Sequence, residues 1–137
     1  MSTNSDYLIV YGTLQPQFDN PYATFLRKHG QYIGDGQFSG LLVDIGNYPG
    51  AIHQQGSITN VYGTVYDVTR YSQTVFRYLD TYEGVGSGFE QPTEYVRSVI
   101  PVYCTNAILD CWAYLYNWPI DGKRVIESGD YAQFLGL

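Results

Sequence analysis

Short runs of strand-forming residues, separated by turns that often contain glycine, dominate the chain and restrict the folds open to it. Each run is rich in Val, Ile, Tyr or Phe, and most alternate or are continuously apolar, as strands are. One pair flanks Thr105 and Asn106 and predicts a hairpin. The predicted strands are residues 7–11, 32–36, 38–44, 51–53, 61–68, 94–103 and 108–118.

Two helices are predicted between these strands, and a short third one near residues 131–135. Asn20 and Pro21 are typical of a helix start, and Gly30 lies where that helix should end. Apolar residues at helical spacing predict the second helix over residues 72–82. This order of elements predicts an α+β fold with a curled, mostly antiparallel sheet. No linker or repeat stands out, so we expect a single domain over residues 1–137.

The charge balance argues against nucleic acid and membrane surfaces as partners. Seven Lys and Arg residues against 13 Asp and Glu residues give a formal charge of −6, and no basic run offsets it. The first residues lack the basic and apolar stretches of a secretory signal, and no apolar run approaches the roughly 20 residues that span a bilayer. A cytosolic location is therefore expected.

The cysteines and histidines do not predict a metal site. Cys104 and Cys111 flank the predicted turn in strand-like settings, where two buried free thiols are expected of a cytosolic chain. His29 and His53 lack the local spacing that a zinc site needs. Neither a Gly-x-Ser-x-Gly frame nor a glycine fingerprint for phosphate binding occurs in the chain.

The first predicted strand does not end in a polar turn. Instead, YLIVY runs directly into Gly12, Thr13 and Leu14. A glycine at a strand end allows successive backbone N–H groups to face one hollow, an arrangement that suits a carboxylate or a phosphate. A plain turn is the alternative at this point. If the N–H groups do face a hollow, the strand ends inside a pocket.

The stretch YLDTYEGVGSGFE, residues 78–90, contains an unusually placed carboxyl. Gly84 is the expected left-handed residue that ends the second helix, so Glu83 falls in the last helical turn. The helix dipole disfavours a negative charge there, and Tyr82 and Phe89 could exclude water from it. Both effects predict a raised pKa for Glu83, which suits an acid/base group, although a solvated glutamate remains the alternative. Asp80 is expected to face solvent.

Six stretches, in this order, resemble the γ-glutamylcyclotransferase-like family, particularly the branch that includes γ-glutamylamine cyclotransferases and small bacterial and plant relatives. The resemblance covers nearly the whole chain. The stretches are YLIVYGTL (7–14), GNYPG (46–50), VYGTVYDV (61–68), LDTYEG (79–84), EYVRSVIPV (94–102) and CWAYLY (111–116).

The resemblance implies a small mixed β-barrel with flanking helices and the conversion of a small γ-glutamyl compound to 5-oxoproline and a free amine or amino acid. It implies that the turn Tyr11-Gly12-Thr13-Leu14 holds the α-carboxylate of the substrate, that Glu83 is the acid/base, and that Tyr48 and Tyr95 lie near the cavity. It implies no metal, nucleotide or other cofactor. There are two alternatives. One is a non-catalytic binding or stress-response module of the same fold that holds a small carboxylate, and the other is a related amide hydrolase that uses water.

Overall fold

The computed structural model describes residues 6–137 and contains seven strands and three α-helices within them. In that range no helix is both long and apolar enough to cross a bilayer. In chain order the elements are β1 (Tyr7–Val10), α1 (Pro21–His29), β2 (Gln31–Asp44), β3 (Pro49–His53), β4 (Asn60–Asp67), a 3-10 turn (Thr69–Tyr71), α2 (Ser72–Glu83), β5 (Tyr95–Cys104), β6 (Ile108–Tyr116), β7 (Arg124–Val125) and α3 (Tyr131–Phe134).

Five strands close into a barrel in the order β2-β4-β1-β6-β5, and β5 returns to β2 through the pairs Gly36 with Cys104 and Gln37 with Tyr103. Only the β1–β6 pair is parallel, whereas the other neighbours are antiparallel. The far half of β2 leaves the barrel and pairs with β3 and β7. The predicted α+β fold with a small mixed, mostly antiparallel barrel is therefore confirmed.

Strand β1 lies at the centre of the fold and is buried on both faces. Ile9 belongs to the apolar cluster that also contains Phe38 and Val102, while Leu8 and Val10 pack in a second cluster with residues of α1 and α2. A strand covered on both faces needs apolar residues at successive positions instead of alternation. This explains why YLIV reads as one continuous apolar run.

The two long helices begin and end close to where the sequence predicts. The Asn20 side chain accepts a hydrogen bond from the Ala23 N–H at 2.8 Å, and Pro21 is the first residue of α1. Helix α2 ends at Glu83, because Gly84 adopts a left-handed conformation with φ of 70°. The Val85 N–H then donates to the Asp80 carbonyl at 2.8 Å, which closes the last turn.

Two details of the predicted strands are wrong. The strands predicted at residues 32–36 and 38–44 form one 14-residue strand, β2, whose pairing with β4 shifts register between Tyr32 and Gly34. Its glycines weaken the sequence signal, but pairing on both sides keeps the strand continuous. Strand β6 ends at Tyr116, two residues before the predicted end.

Candidate functional site

A cavity of about 250 Å³ opens where β1 ends, between the C-terminal end of α2 and the first residues of β3 and β5. It contains every residue that the sequence singled out for the site. Its lining residues are Ile9, Val10, Tyr11, Gly12, Thr13, Leu14, Tyr48, Pro49, Tyr82, Glu83, Glu94, Tyr95 and Tyr114.

The loop that follows β1 is fixed by side chains from outside it. The Asn20 side chain, which also caps α1, donates to the Thr13 carbonyl at 2.9 Å, and the buried Gln15 amide donates to the Tyr11 carbonyl at 3.0 Å. Within residues 6–137, the N–H groups of Gly12, Thr13 and Leu14 donate to no protein acceptor. The carbonyls of Tyr11, Gly12 and Thr13 are thus engaged while the three N–H donors remain available, an arrangement that suits a bound anion.

The close contact between the loop and Pro49 requires a glycine at position 12. A Cβ atom at position 12 would lie 2.9 Å from Pro49 Cγ and 3.1 Å from Pro49 Cδ. Pro49 has little room to retreat, because its carbonyl accepts a hydrogen bond from the Tyr95 hydroxyl at 2.6 Å. The glycine therefore brings the loop against β3 and forms one wall of the cavity.

The Gly12→Ala variant should lose about 1–3 kcal/mol of unfolding free energy, because the added methyl group overpacks this contact. Gly88→Ala is the matched control, since a Cβ atom there meets no atom within 4 Å. Urea denaturation of the two variants measures the difference. Equal stability of both variants would show that the contact with Pro49 is not tight.

Glu83 is the last residue of α2 and lines the same cavity. Its carboxyl accepts no hydrogen bond from any other described residue, although the side chain is partly buried. The neighbouring Tyr82 hydroxyl lies 3.1 Å from Thr13 Oγ1 and so ties the end of α2 to the loop after β1. The loop with free N–H groups and the unpaired carboxyl therefore border one hollow.

The surroundings of Glu83 raise its pKa to about 8, above its ordinary value of 4.5. Burial is the largest cause, and the nearby carboxylates of Glu94 and Asp80 add to it. The direction agrees with the prediction from the sequence, but the two acidic neighbours were not foreseen. Phe89, which the sequence suggested as a shield from water, is exposed and does not line the cavity.

Asp80 is not a solvent residue, contrary to the expectation from the sequence. Its carboxylate accepts hydrogen bonds from Arg97 Nε at 2.9 Å, from Arg97 Nη2 at 3.1 Å and from the Tyr114 hydroxyl at 2.7 Å. Arg97 is held in turn against the rings of Phe76 and Trp112. The sequence could not show this network, because its members come from α2, β5 and β6 and meet only through the barrel.

The hydroxyl groups of Tyr11 and Tyr95 are engaged within the protein. Tyr11 donates to the Tyr114 carbonyl and accepts from the Ala51 N–H, while Tyr95 donates to the Pro49 carbonyl. Burial is the largest cause that raises the pKa of each phenol, so both remain protonated. These side chains shape the cavity wall, and their hydroxyl protons are already committed to carbonyl oxygens.

Glu94 is a second carboxyl in the cavity, and no local pattern in the sequence marks it as a site residue. The Tyr48 hydroxyl donates to Glu94 Oε2 at 2.6 Å, so the two residues form a pair on the cavity wall. The available signal was a charged residue directly before the strand that begins at Tyr95. Only the contact with Tyr48, 46 positions away, reveals that its side chain turns toward the hollow.

Three comparisons identify similar proteins. A family model described as gamma-glutamyl cyclotransferase, AIG2-like, matches residues 8–133. The Escherichia coli K12 protein named gamma-glutamylcyclotransferase family protein YtfP is 31% identical over 125 residues, which cover 90% of this chain and 94% of that protein.

Two solved structures share the fold at lower identity. YkqA from Bacillus subtilis has a TM-score of 0.70 at 22% identity, over 97% of this chain and 42% of that one. An AIG2-like protein from Mus musculus has a TM-score of 0.67 at 24% identity, over 87% of this chain and 82% of that one. The two structures therefore share the barrel architecture across most of this chain.

Proposed function

The chain belongs to the gamma-glutamyl cyclotransferase, AIG2-like family, and on that premise we propose that it converts a small γ-glutamyl amide to 5-oxoproline and a free amine. The observation that carries the proposal is the shared cavity. It brings together the unpaired carboxyl of Glu83 and the free N–H groups of Gly12, Thr13 and Leu14.

The loop after β1 provides the anchor for the substrate in this proposal. Its N–H groups bind the α-carboxylate of the glutamyl group, which fixes the α-amine relative to the γ-carbonyl. The attack is intramolecular, so correct folding of the substrate supplies much of the rate enhancement. Tyr11, Tyr48 and Tyr95 line the space around the folded glutamyl chain.

Glu83 carries the proton in both halves of the reaction. Its carboxylate takes a proton from the α-ammonium, and the freed amine nitrogen attacks the γ-carbonyl carbon to close the five-membered ring. The bond to the departing nitrogen then breaks, and Glu83 returns its proton to that nitrogen. The ring nitrogen still carries one proton more than the lactam product, and Glu83 takes this second proton and passes it to the released amine, which departs as an ammonium ion. Every proton is accounted for within the substrate and one carboxyl, so the proposed reaction needs no metal, nucleotide or covalent intermediate.

The direct experiment is to incubate the protein with γ-glutamyl amides and to quantify both 5-oxoproline and glutamate. The proposal expects 5-oxoproline and the free amine in equal amounts. Free glutamate would instead indicate attack by water. Thermal stabilisation by the ligand without any product would indicate a binding module.

The pH dependence of kcat/KM should report the raised pKa of Glu83. Because the base must be ionised, activity should rise with pH through about 8. Activity should fall again at higher pH. The substrate amine, with an ordinary pKa of about 8, then loses its proton before binding, so that Glu83 has no proton to give to the departing nitrogen. The acid limb of kcat should lie at lower pH, since the bound α-ammonium stabilises the carboxylate. A rate that remains constant down to about pH 4.5 would contradict the assigned role of Glu83.

A further inference from the structure

The ionisable carboxyl groups that line the cavity are not balanced by a basic side chain. Glu83 and Glu94 both line it, and no Lys, Arg or His is among its lining residues within 6–137. The proposed reaction uses Glu83 for proton transfer and the loop after β1 for the α-carboxylate. Apart from adding to the raised pKa of Glu83, Glu94 has no part in either task, so the position of its carboxyl in the cavity needs a further explanation.

Glu94 is held firmly at the wall. Its backbone carbonyl accepts a hydrogen bond from the Asn117 N–H at 2.7 Å, and Tyr48 binds Oε2 from the other side. Burial is the largest cause that raises the pKa of Tyr48, to about 12, so its hydroxyl keeps the proton that it donates. The second oxygen, Oε1, accepts no hydrogen bond from the described residues and is free to bind a ligand.

The Tyr48 side of the Tyr48–Glu94 pair lies closer to solvent than the anchoring loop. Tyr48 is 36% exposed, whereas Tyr11 and Leu14 are buried and Gly12 and Thr13 are half-buried. A substrate whose α-carboxylate is held by the loop would therefore extend its leaving group toward this pair. The rings of Tyr48 and Tyr82 provide apolar walls for an alkyl chain on that path.

We infer that Glu94, oriented by Tyr48, selects γ-glutamyl amides whose leaving amine carries a second, distal positive charge, such as alkane diamines. The inference rests on the proposed function and names the substrate class for that site. A distal ammonium would form a charge-assisted hydrogen bond with Oε1. A leaving group that ends in a carboxylate would meet two like charges and no compensating cation.

A matched series of three substrates tests this inference. The substrates are the γ-glutamyl amides of 1,4-diaminobutane, butylamine and 4-aminobutyrate, whose leaving amines each contain a linear chain of four carbon atoms. They differ at the distal end, which is an ammonium, a methyl group or a carboxylate. At pH 8 the distal ammonium is charged. We expect kcat/KM to favour the diamine over butylamine by about ten- to a hundredfold. Butylamine should in turn be favoured over aminobutyrate, and added salt should narrow both gaps.

The Glu94→Gln variant should bring the three substrates to within about threefold of one another, because it removes the charge but keeps an oxygen for Tyr48. Tyr48→Phe should weaken the preference less, since the charge remains but loses its orienting partner. Glu90→Gln is the control, because Glu90 is exposed and does not line the cavity. It should preserve the wild-type order.

These experiments distinguish a failure of the proposed function from a failure of the inference about Glu94. No 5-oxoproline from any of the three compounds would overturn the proposed function and the inference with it. Equal rates of 5-oxoproline release in the wild type, or an unchanged preference in Glu94→Gln, would overturn the inference alone. Calorimetric binding of the same compounds to the Glu83→Gln variant gives a second measure, in which equal affinities would also overturn the inference.

Discussion

Replacing Glu83 by glutamine is expected to lower the turnover of a γ-glutamyl amide by about 10²–10⁴-fold, the range that a positioned acid/base group contributes. The fold should be unaffected, because the Glu83 carboxyl accepts no hydrogen bond from the other described residues and glutamine has nearly the same shape. The effect should appear mainly in kcat, since the α-carboxylate anchor is a separate element formed by the loop after β1.

The control for this prediction is Glu90→Gln. Glu90 lies seven positions later, is exposed and is not part of the cavity lining, so its loss should leave turnover within about twofold of the wild type. Circular dichroism and the release of 5-oxoproline are measured for both variants. If a correctly folded Glu83→Gln protein retains wild-type turnover, Glu83 is not the group that moves the proton.

The same substitution should change how stability depends on pH. The folded state holds the Glu83 proton up to about pH 8, whereas the unfolded chain releases it near 4.5. The folded state therefore binds more protons between these values, and stability falls as the pH rises through this window. The shift corresponds to about 2–5 kcal/mol of unfolding free energy, with allowance for the partial exposure of the side chain.

Urea denaturation of the wild type and of Glu83→Gln, at intervals from pH 4.5 to 8.5, isolates this contribution. The unfolding free energy of the variant should gain on that of the wild type by up to about 1.4 kcal/mol per pH unit. Glu90→Gln supplies the comparison for the loss of a surface charge. A difference between wild type and Glu83→Gln that is the same at every pH would mean that the folded protein does not raise the pKa of Glu83.

The sequence predicts the fold well where the residues of a single helix or strand determine its structure. Asn20 and Pro21 determine the start of α1 through capping, and Gly84 determines the end of α2 through its left-handed conformation. The single strand β2 could not be predicted, because its continuity depends on pairing with distant strands on both sides and not on its own residues.

The candidate site is predictable to a similar extent. The glycine after a buried strand and the glutamate at a helix end are local anomalies, and both lie at the cavity. Asp80 and Glu94 carry no such local signature. Their partners, Arg97 and Tyr48, are distant in sequence and are brought to them by the barrel. Long-range contacts between polar side chains are the part of the site that a single sequence does not reveal.

The most direct test of the proposed site is a crystal structure of the protein with 5-oxoproline, which contains both the ring and the carboxylate that the site is expected to bind. We expect the carboxylate to accept hydrogen bonds from the N–H groups of Gly12, Thr13 and Leu14, and the ring nitrogen to lie next to the Glu83 carboxyl. A ligand bound elsewhere, or one whose carboxylate turns away from this loop, would contradict the account.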